Sequence, residues 1–335
     1  MFPLLRLPLL ALEQVIKQVE IKELFPLSLC SKRTNFIVKH FRDKSIILEF
    51  DLHGQVGVRL DISDLSNMIL AAEFRITRLQ QMPLDRPTWS TVGEILKIQK
   101  TYEGFVVYCE NVQKGTRVLV NYICDLFEKK IDRVLFINRT SWMMKLIEHL
   151  QGLDYEAVIL CDFSLEDEEE GDFRNLIISC KANNLQIHHC PSKKFRFENF
   201  PKKYDRLVIQ NGHWVTVDNL LTLDCEQIHI DNTFSSEDIT RFLKHWIQGG
   251  TRKLKAFSAH VRNVEDENEI YTDIEVLMIS GSQEFRFKEV HWKFDGKYIR
   301  RVDGMLASVQ YCQMEKFFRL AVWEDFQGNR IQGFQ

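Results

Sequence analysis

Apolar residues open the chain at steps of three and four, with Leu9, Leu12, Ile16 and Val19 on one face of a helix. A second apolar series, Leu24, Leu27, Leu29, then Phe36, Ile37 and Phe41, carries the pattern to about residue 42. Pro26 lies within it and fits the first turn of a helix, where its missing N–H is not needed. Residues 1–42 therefore predict two or three short helices, too small a segment to bury a full core alone. The period then changes. Residues 46–51 and 56–61 are β-rich runs around His53-Gly54, which predicts a hairpin. Residues 68–76 and 105–109 predict further strands. Most of 115–130 predicts a helix packed on those strands through Val118, Val120, Tyr122, Ile123, Leu126 and Phe127.

Short buried-strand runs recur in 133–260, at 134–137, 158–161, 185–188, 207–209, 228–230 and 254–257. Their first residues are spaced by 24, 27, 22, 21 and 26. Helical patterns fill at least three gaps: Trp142, Leu146, Ile147 and Leu150; Phe173, Leu176, Ile177 and Cys180; and Ile239, Phe242, Leu243, Trp246 and Ile247. The last has Ser235-x-x-Asp238 as its starting cap and Gly249-Gly250 as its stop. The gap at 191–205 shows little helix. Strand–helix alternation at this period predicts parallel strands with right-handed crossovers, arranged like leucine-rich repeats as a curved solenoid. An open α/β sheet without true repeats is the alternative. From 261 the pattern turns antiparallel, with runs around Gly281, Gly296 and the hairpin signal Asp303-Gly304. A β unit of this kind suits the open end of a solenoid as a cap.

Composition narrows the chemistry. The 335 residues carry 44 basic and 47 acidic side chains, a net charge of -3, so no global field draws the chain to nucleic acid or an anionic membrane. No apolar run reaches the length of a membrane-spanning helix. The apolar start imitates a leader, but Arg6 and Pro8 interrupt it and no small-residue cleavage site follows. The eight cysteines form no C-x-x-C pair and lie in apolar runs, which reads as buried free thiols in a reducing compartment. A cytoplasmic or nuclear setting follows.

Catalytic patterns are missing: there is no phosphate-cradling glycine loop, no H-E-x-x-H and no G-x-S-x-G. His188-His189-Cys190 lacks a second ligand pair at zinc spacing and reads as alternating strand residues. The acidic run from Glu166 to Asp172 reads as a solvated loop before a helix start. Lys193, Lys194, Phe195, Arg196, Lys202 and Lys203 form a small basic–aromatic patch of the kind nucleic acid can use, although such loops more often face solvent. Asn138-Arg139-Thr140 is a glycosylation acceptor only if the chain is secreted. No catalytic residue, metal or cofactor is expected. The apolar face of the first helices is the stronger signal, because an exposed apolar patch marks a protein partner. Packing of that face onto the following strands is the other reading.

Leu7-Pro8-Leu9-Leu10-Ala11-Leu12-Glu13-Gln14-Val15-Ile16-Lys17-Gln18-Val19, then Lys22-Glu23-Leu24 and Leu27-Ser28-Leu29-Cys30-Ser31-Lys32-Arg33, resemble an F-box. Leu10 stands where the family has Glu, Pro26 enters the second helix and no Trp follows Arg33. The rest is similar to the type 2 F-box-associated domain of the large nematode F-box families. That likeness is clearest over 223–260, with Phe234-Ser235, Trp246 and Gly249-Gly250, and over Ile299-Arg300-Arg301-Val302-Asp303-Gly304-Met305-Leu306-Ala307. The resemblance implies an F-box at 1–42 and an associated substrate-binding domain at 43–335, repeat-like over about 133–260 and antiparallel over about 261–323.

It also implies a non-catalytic adaptor of a Skp–cullin–F-box ubiquitin ligase. Leu7, Pro8, Leu12, Val15, Ile16, Val19, Leu24, Leu27 and Leu29 would then contact the Skp adaptor, and through it cullin. The associated domain would hold a protein substrate. A stand-alone protein-binding repeat module without a ligase is the alternative, and an unrecognised hydrolase the third reading. Period two along the predicted strands turns Gln186, His188, Gln210, His229 and Asp231 toward the concave side of a solenoid, as candidate substrate contacts. Their bland reading is solvated strand residues, with the loops at Phe195 and Trp214 next in line.

Overall fold

A computed structural model describes residues 4–42, 46–53, 57–64, 69–82, 89–91, 96–102, 104–137, 155–161, 170–180, 182–188, 191–198, 200–201, 204–262, 264–279 and 281–323. The predicted helix at 142–150, the acidic residues 166–169, the glycosylation pattern at 138–140, the hairpin turn at Gly54, His189, Cys190 and Lys202-Lys203 lie outside the described residues. The chain divides into two compact units, Met1–Cys161 and Asp162–Gln335.

The first unit begins with helices α1 (Leu9–Gln18), α2 (Ile21–Leu29) and α3 (Lys32–Phe41). Ser31 starts α3 as half of a capping box with Thr34, satisfying two otherwise unpaired backbone donors. Pro26 sits inside α2 rather than in its first turn, contrary to the pattern's expectation. Its missing N–H breaks one helical hydrogen bond, at a cost of about 3 kcal/mol. Leu24 and Phe25 beside it are buried, and each large apolar side chain taken from water returns about 1.5–3 kcal/mol. Tertiary burial thus outweighs the local break.

Behind the helices runs a mixed sheet of β1 (Ile46–His53), β2 (Gly57–Asp64), β3 (Ile69–Arg78), β4 (Trp89–Thr91), β5 (Leu96–Lys100), β6 (Gly104–Cys109), β7 (Ile131–Ile137) and β8 (Tyr155–Cys161), in the order 8-7-1-2-3-6-5-4. β1 and β2 pair antiparallel, as their sequence predicts, while β7 and β8 join parallel to β1. Helix α4 (Val112–Phe127) buries Leu119, Val120, Ile123, Leu126 and Phe127. Phe25 clamps the helical head to this sheet. Its ring meets Phe74 edge-on at 4.7 Å, Phe105 at 5.0 Å and Tyr122 of α4 at 5.9 Å. The Tyr122 hydroxyl shares a 2.7 Å hydrogen bond with Ser28 and accepts one of 2.9 Å from Asn35.

The second unit is built on four parallel strands in chain order: β9 (Asn184–Ile187), β10 (Arg206–Ile209), β11 (Gln227–Phe234) and β12 (Ala256–Val261). Short strand-to-strand connections with helices on one face reproduce the repeat-like array that the spacing predicts. Leu185, Leu207, Ile228 and Phe257 form one buried row across the strands, and Ile187, Ile209, Ile230 and Ala259 the next. Helices α5 (Glu170–Ser179), α6 (Val217–Thr222) and α7 (Ser236–Ile247) connect or precede these strands.

Helix α7 starts at a Ser235–Asp238 capping box and stops at Gly249, whose φ of 92° suits glycine. It buries Ile239, Phe242, Leu243 and Trp246, and Phe242 lies 4.4 Å from Phe257 of the sheet. Arg301 stacks over the Trp246 ring and is held by Asp303 at 2.8 Å. This ion pair and a backbone N–H from Met305 hold the exposed Asp303 carboxyl down to about 2.

The chain then reverses. β18 (Phe317–Trp323) pairs antiparallel with β12, and β17 (Leu306–Cys312), β16 (Lys297–Arg300) and β13 (Leu277–Met278) extend the sheet. Hairpin β14 (Gln283–Phe287) and β15 (Val290–Phe294) is a separate two-stranded sheet. β18, β17, β16 and β13 thus cover the edge of β12, where a cap was expected, while the hairpin lies on the face of the large sheet that is turned away from α7. Phe285, Phe287, Val290 and Phe294 pack there on Ala256, Ala321, Tyr298 and Trp323. Ala256 and Ala321 are register partners, and their small side chains let the hairpin rings approach the strands closely.

Trp246 has no exposed surface. Trp246→Ala is expected to lower the unfolding free energy by about 3–5 kcal/mol, read as a lower denaturant midpoint, and an unchanged midpoint would mean this face is not core.

Candidate partner-binding surfaces

The helical head presents an apolar face. Leu12, Ile16 and Leu24 are buried within the unit, and Leu7, Val19, Leu27 and Leu29 are partly covered. Pro8 and Val15 are exposed. Leu9 and Leu10, 65% and 77% exposed, and Phe36 at 65% are the large apolar groups turned outward. Of the nine predicted contact residues, Pro8 and Val15 are thus in the open. Leu9, Leu10 and Phe36 were not among them. The signal for Leu9 and Leu10 was their place beside the Leu7-Pro8 pair on the first turn of α1. Phe25 packs onto the strands, as the second reading expects, while the start of α1 stays uncovered.

In the second unit, register gathers the five predicted substrate residues on the sheet face opposite α7. Gln186, Val208, His229 and Ser258 form one row across β9 to β12. His188, Gln210 and Asp231 stand two residues further along their strands. Gln210 and Asp231 are exposed, while Gln186, His188 and His229 are half-buried.

Hairpin β14–β15 covers part of this face and leaves a groove of about 610 Å³ beside it. Arg206, Gln227, His229 and His260 line it on the sheet side, and Glu289, Val290 and Trp292 on the hairpin side. The His229 ring stacks on Phe317 at 5.5 Å, and its Nδ1 lies 2.9 Å from the Ser258 hydroxyl. His260 meets the same Phe317 edge-on at 4.5 Å, with its Nε2 3.3 Å from the Asp231 carboxylate. Arg319 pairs with Glu315 at 2.9 Å and Arg206 with Glu289 at 3.5 Å. Sequence reasoning reached His229 through strand alternation. It missed Arg206, Gln227 and the hairpin wall, because only the folded hairpin closes that side.

The loop candidates belong to the core instead. Phe195 and Trp214 are buried in an aromatic box with Phe173, Phe197 and Phe200, Trp214 standing 5.2 Å from Phe195. The basic–aromatic patch therefore has its aromatic ring inside, and Arg196 donates to the Lys193 carbonyl at 2.9 Å. Cys109 and Cys225 are buried and free, as expected, and Cys180 is buried, whereas Cys30 is exposed. Burial pushes the Cys109 thiol up to about 11 and the Cys225 thiol up to about 12, so neither forms a nucleophilic thiolate near neutrality. Among the described residues no three His, Cys, Asp or Glu side chains are placed to hold a metal ion. No helix among them is long and apolar enough to cross a membrane.

Residues 4–45 match the F-box domain, on helices α1 to α3, and residues 196–259 match the F-box associated family, on β10 through β12. The chain thus carries a match to the F-box on its first three helices and a match to the F-box associated family in its second unit. The Skn-1 dependent zygotic transcript 15 protein of Caenorhabditis elegans is 25% identical to it over 342 residues, covering 92% of this chain and 93% of its own length. Two further proteins of that worm, F59B2.8 and F59B2.9, are each 23% identical over 273 residues, or 76% of this chain. The chain spans 59% and 61% of their lengths. No solved structure matches it significantly.

Burial pushes His229 below the usual imidazole range against the opposing pull of Asp231, and burial alone lowers His188 and His245. A lowered folded value means that the unfolded chain takes up the proton first. Stability is therefore constant above the ordinary value and falls as the pH drops from about 6.5 toward the lower folded value. Denaturant titrations at pH 7.5 and 5.5 are expected to show this loss, and His229→Gln to remove part of it.

Proposed function

We propose that this chain is the substrate-recognition adaptor of a Skp–cullin–F-box ubiquitin ligase. Its helical head docks the Skp adaptor, and its second unit holds a protein substrate. The observation that carries this reading is the coincidence of the F-box match at 4–45 with a helical head that leaves Leu9, Leu10 and Phe36 exposed. Leu9 and Leu10 at the start of α1 are the anchors, with Pro8 and Val15 beside them and Leu7, Val19, Leu27 and Leu29 at the rim. Leu12, Ile16 and Leu24 hold the helices in shape beneath. Apolar side chains of this size commonly dominate an interface when they fill a partner's pocket.

Such an adaptor is non-catalytic and needs no cofactor. It works by proximity, because holding the substrate close to the charged ubiquitin donor raises its effective concentration there. Its partners are the Skp adaptor, cullin through it, and the substrate, with neither nucleic acid nor membrane required, in the cytoplasm or nucleus. Gln186, His188, Gln210, His229 and Asp231 are the proposed floor of the substrate surface.

Leu9→Asp with Leu10→Asp is expected to weaken capture by purified Skp adaptor at least tenfold, about 1.4 kcal/mol, at an unchanged thermal midpoint. A wild-type chain that captures no adaptor would overturn the ligase reading and leave a stand-alone binding module.

A further inference from the structure

The groove beside hairpin β14–β15 contains two buried polar atoms without hydrogen-bond partners, Arg206 Nε and Gln227 Oε1. Arg206 and Gln227 are register partners on β10 and β11, so the two atoms belong to neighbouring positions. One donates and the other accepts. Gln227 is 6% exposed. Other unpartnered atoms, such as Trp214 Nε1, Trp246 Nε1 and Arg301 Nη1, are donors only. Here a donor and an acceptor belong to adjacent residues that line one cavity, and buried polar groups are ordinarily satisfied.

Charge narrows the ligand. The Arg206 guanidinium is matched by Glu289 and that of Arg319 by Glu315. A phosphate or carboxylate brings only acceptors and, with the Gln227 amide oriented as it is, would meet its Oε1 unpaired. An ammonium brings only donors and would face Arg206. An amide carries one C=O for Arg206 Nε and one N–H for Gln227 Oε1, with no net charge. Val208, Val290 and Phe317 supply apolar surface beside them. The Glu289 carboxylate that pairs with Arg206 is 71% exposed and 3.5 Å away, a weak contact for an entering group to displace.

We propose that this groove binds an uncharged, unphosphorylated peptide segment of the substrate through the carboxamide of an Asn or Gln. This rests on reading the second unit as the substrate-holding part of the chain. The carboxamide oxygen accepts from Arg206 Nε, its NH₂ donates to Gln227 Oε1, and a neighbouring apolar side chain lies against Val208 and Phe317.

The test presents the full chain with positional-scanning pools of eight-residue peptides. Each position is fixed in turn as Asn or Gln, Asp or Glu, phosphoserine, Lys or Arg, or an apolar residue, and binding is read by fluorescence polarisation. Pools with a fixed Asn or Gln are expected to bind at least tenfold tighter than the charged pools, and Gln227→Met to erase that preference. Arg206→Lys keeps a cation opposite Glu289 but removes the Nε donor, and it should erase the preference too if Gln227→Met proves unstable. Tighter binding of phosphoserine or acidic pools, equal binding of all pools, no binding, or a preference retained in a folded variant would each overturn the proposal. Adaptor capture is measured on the same preparations. Its loss in wild type would remove the ligase reading alone, whereas failure of the peptide pools with adaptor capture intact would remove the groove proposal alone.

Discussion

A sheet covered by helices on one side still has a second face to dispose of, and that face governs the second unit. Rows such as Leu185–Leu207–Ile228–Phe257 turn toward the helix side and close the core. Strand alternation then forces the intervening residues outward on the other side. Fully apolar residues there would leave a large exposed patch, and fully solvated ones would leave nothing for a partner to hold. The chain divides the face. Ala256 and Ala321 make room for the Phe-rich hairpin, which buries one part, and Gln186, Val208, His229 and Ser258 remain for the other. The groove exists because the hairpin covers only part of this face and leaves Val208, His229, Ser258 and His260 beside it.

The helical head solves a different problem with the same physics. Three short helices cannot close a core alone, so the head commits Phe25 and the Ser28–Tyr122–Asn35 hydrogen bonds to the sheet beside it. With its footing buried there, the first turn of α1 can leave Leu9 and Leu10 uncovered. Exposed leucines cost little in stability but favour association, and their position on a helix tied to a sheet gives them a fixed geometry. Ordering entropy that a free helix would lose on binding is already lost on folding.

Much of this architecture was legible in the chain. The 21-to-27-residue spacing marked the parallel strands, Ser235-x-x-Asp238 and Gly249-Gly250 marked the ends of α7, and Asp303-Gly304 marked an antiparallel turn. These signals are local, since each depends on a few neighbouring residues and one period. Pro26 misled because its meaning depended on Phe25 meeting Phe74, Phe105 and Tyr122, partners 49 to 97 residues away. Phe195 and Trp214 misled in the opposite direction: basic neighbours made the loop read as surface, while Phe173, Phe197 and Phe200 enclosed both rings. The short strands β4 and β5 and the helix α6 lacked enough periodic residues to stand out. The substrate face was half legible. Alternation found His229 and Gln186, but Arg206 and Gln227 gain their meaning from the hairpin folded beside them.

The groove's polar pair also bears on how the fold tolerates a binding site. An unsatisfied buried polar atom costs about 1–3 kcal/mol, a substantial share of the 5–15 kcal/mol by which a typical domain is stable. A site of this kind is affordable only on a rigid base, since a flexible strand would twist until the two atoms found partners. The parallel register Arg206↔Gln227 and Leu207↔Ile228 holds them side by side on a doubly flanked strand pair, with Leu207 and Ile228 fully buried beneath. Rigidity keeps Arg206 and Gln227 at a fixed spacing. A ligand that satisfies both then regains that deficit as affinity, without having to order the receptor first.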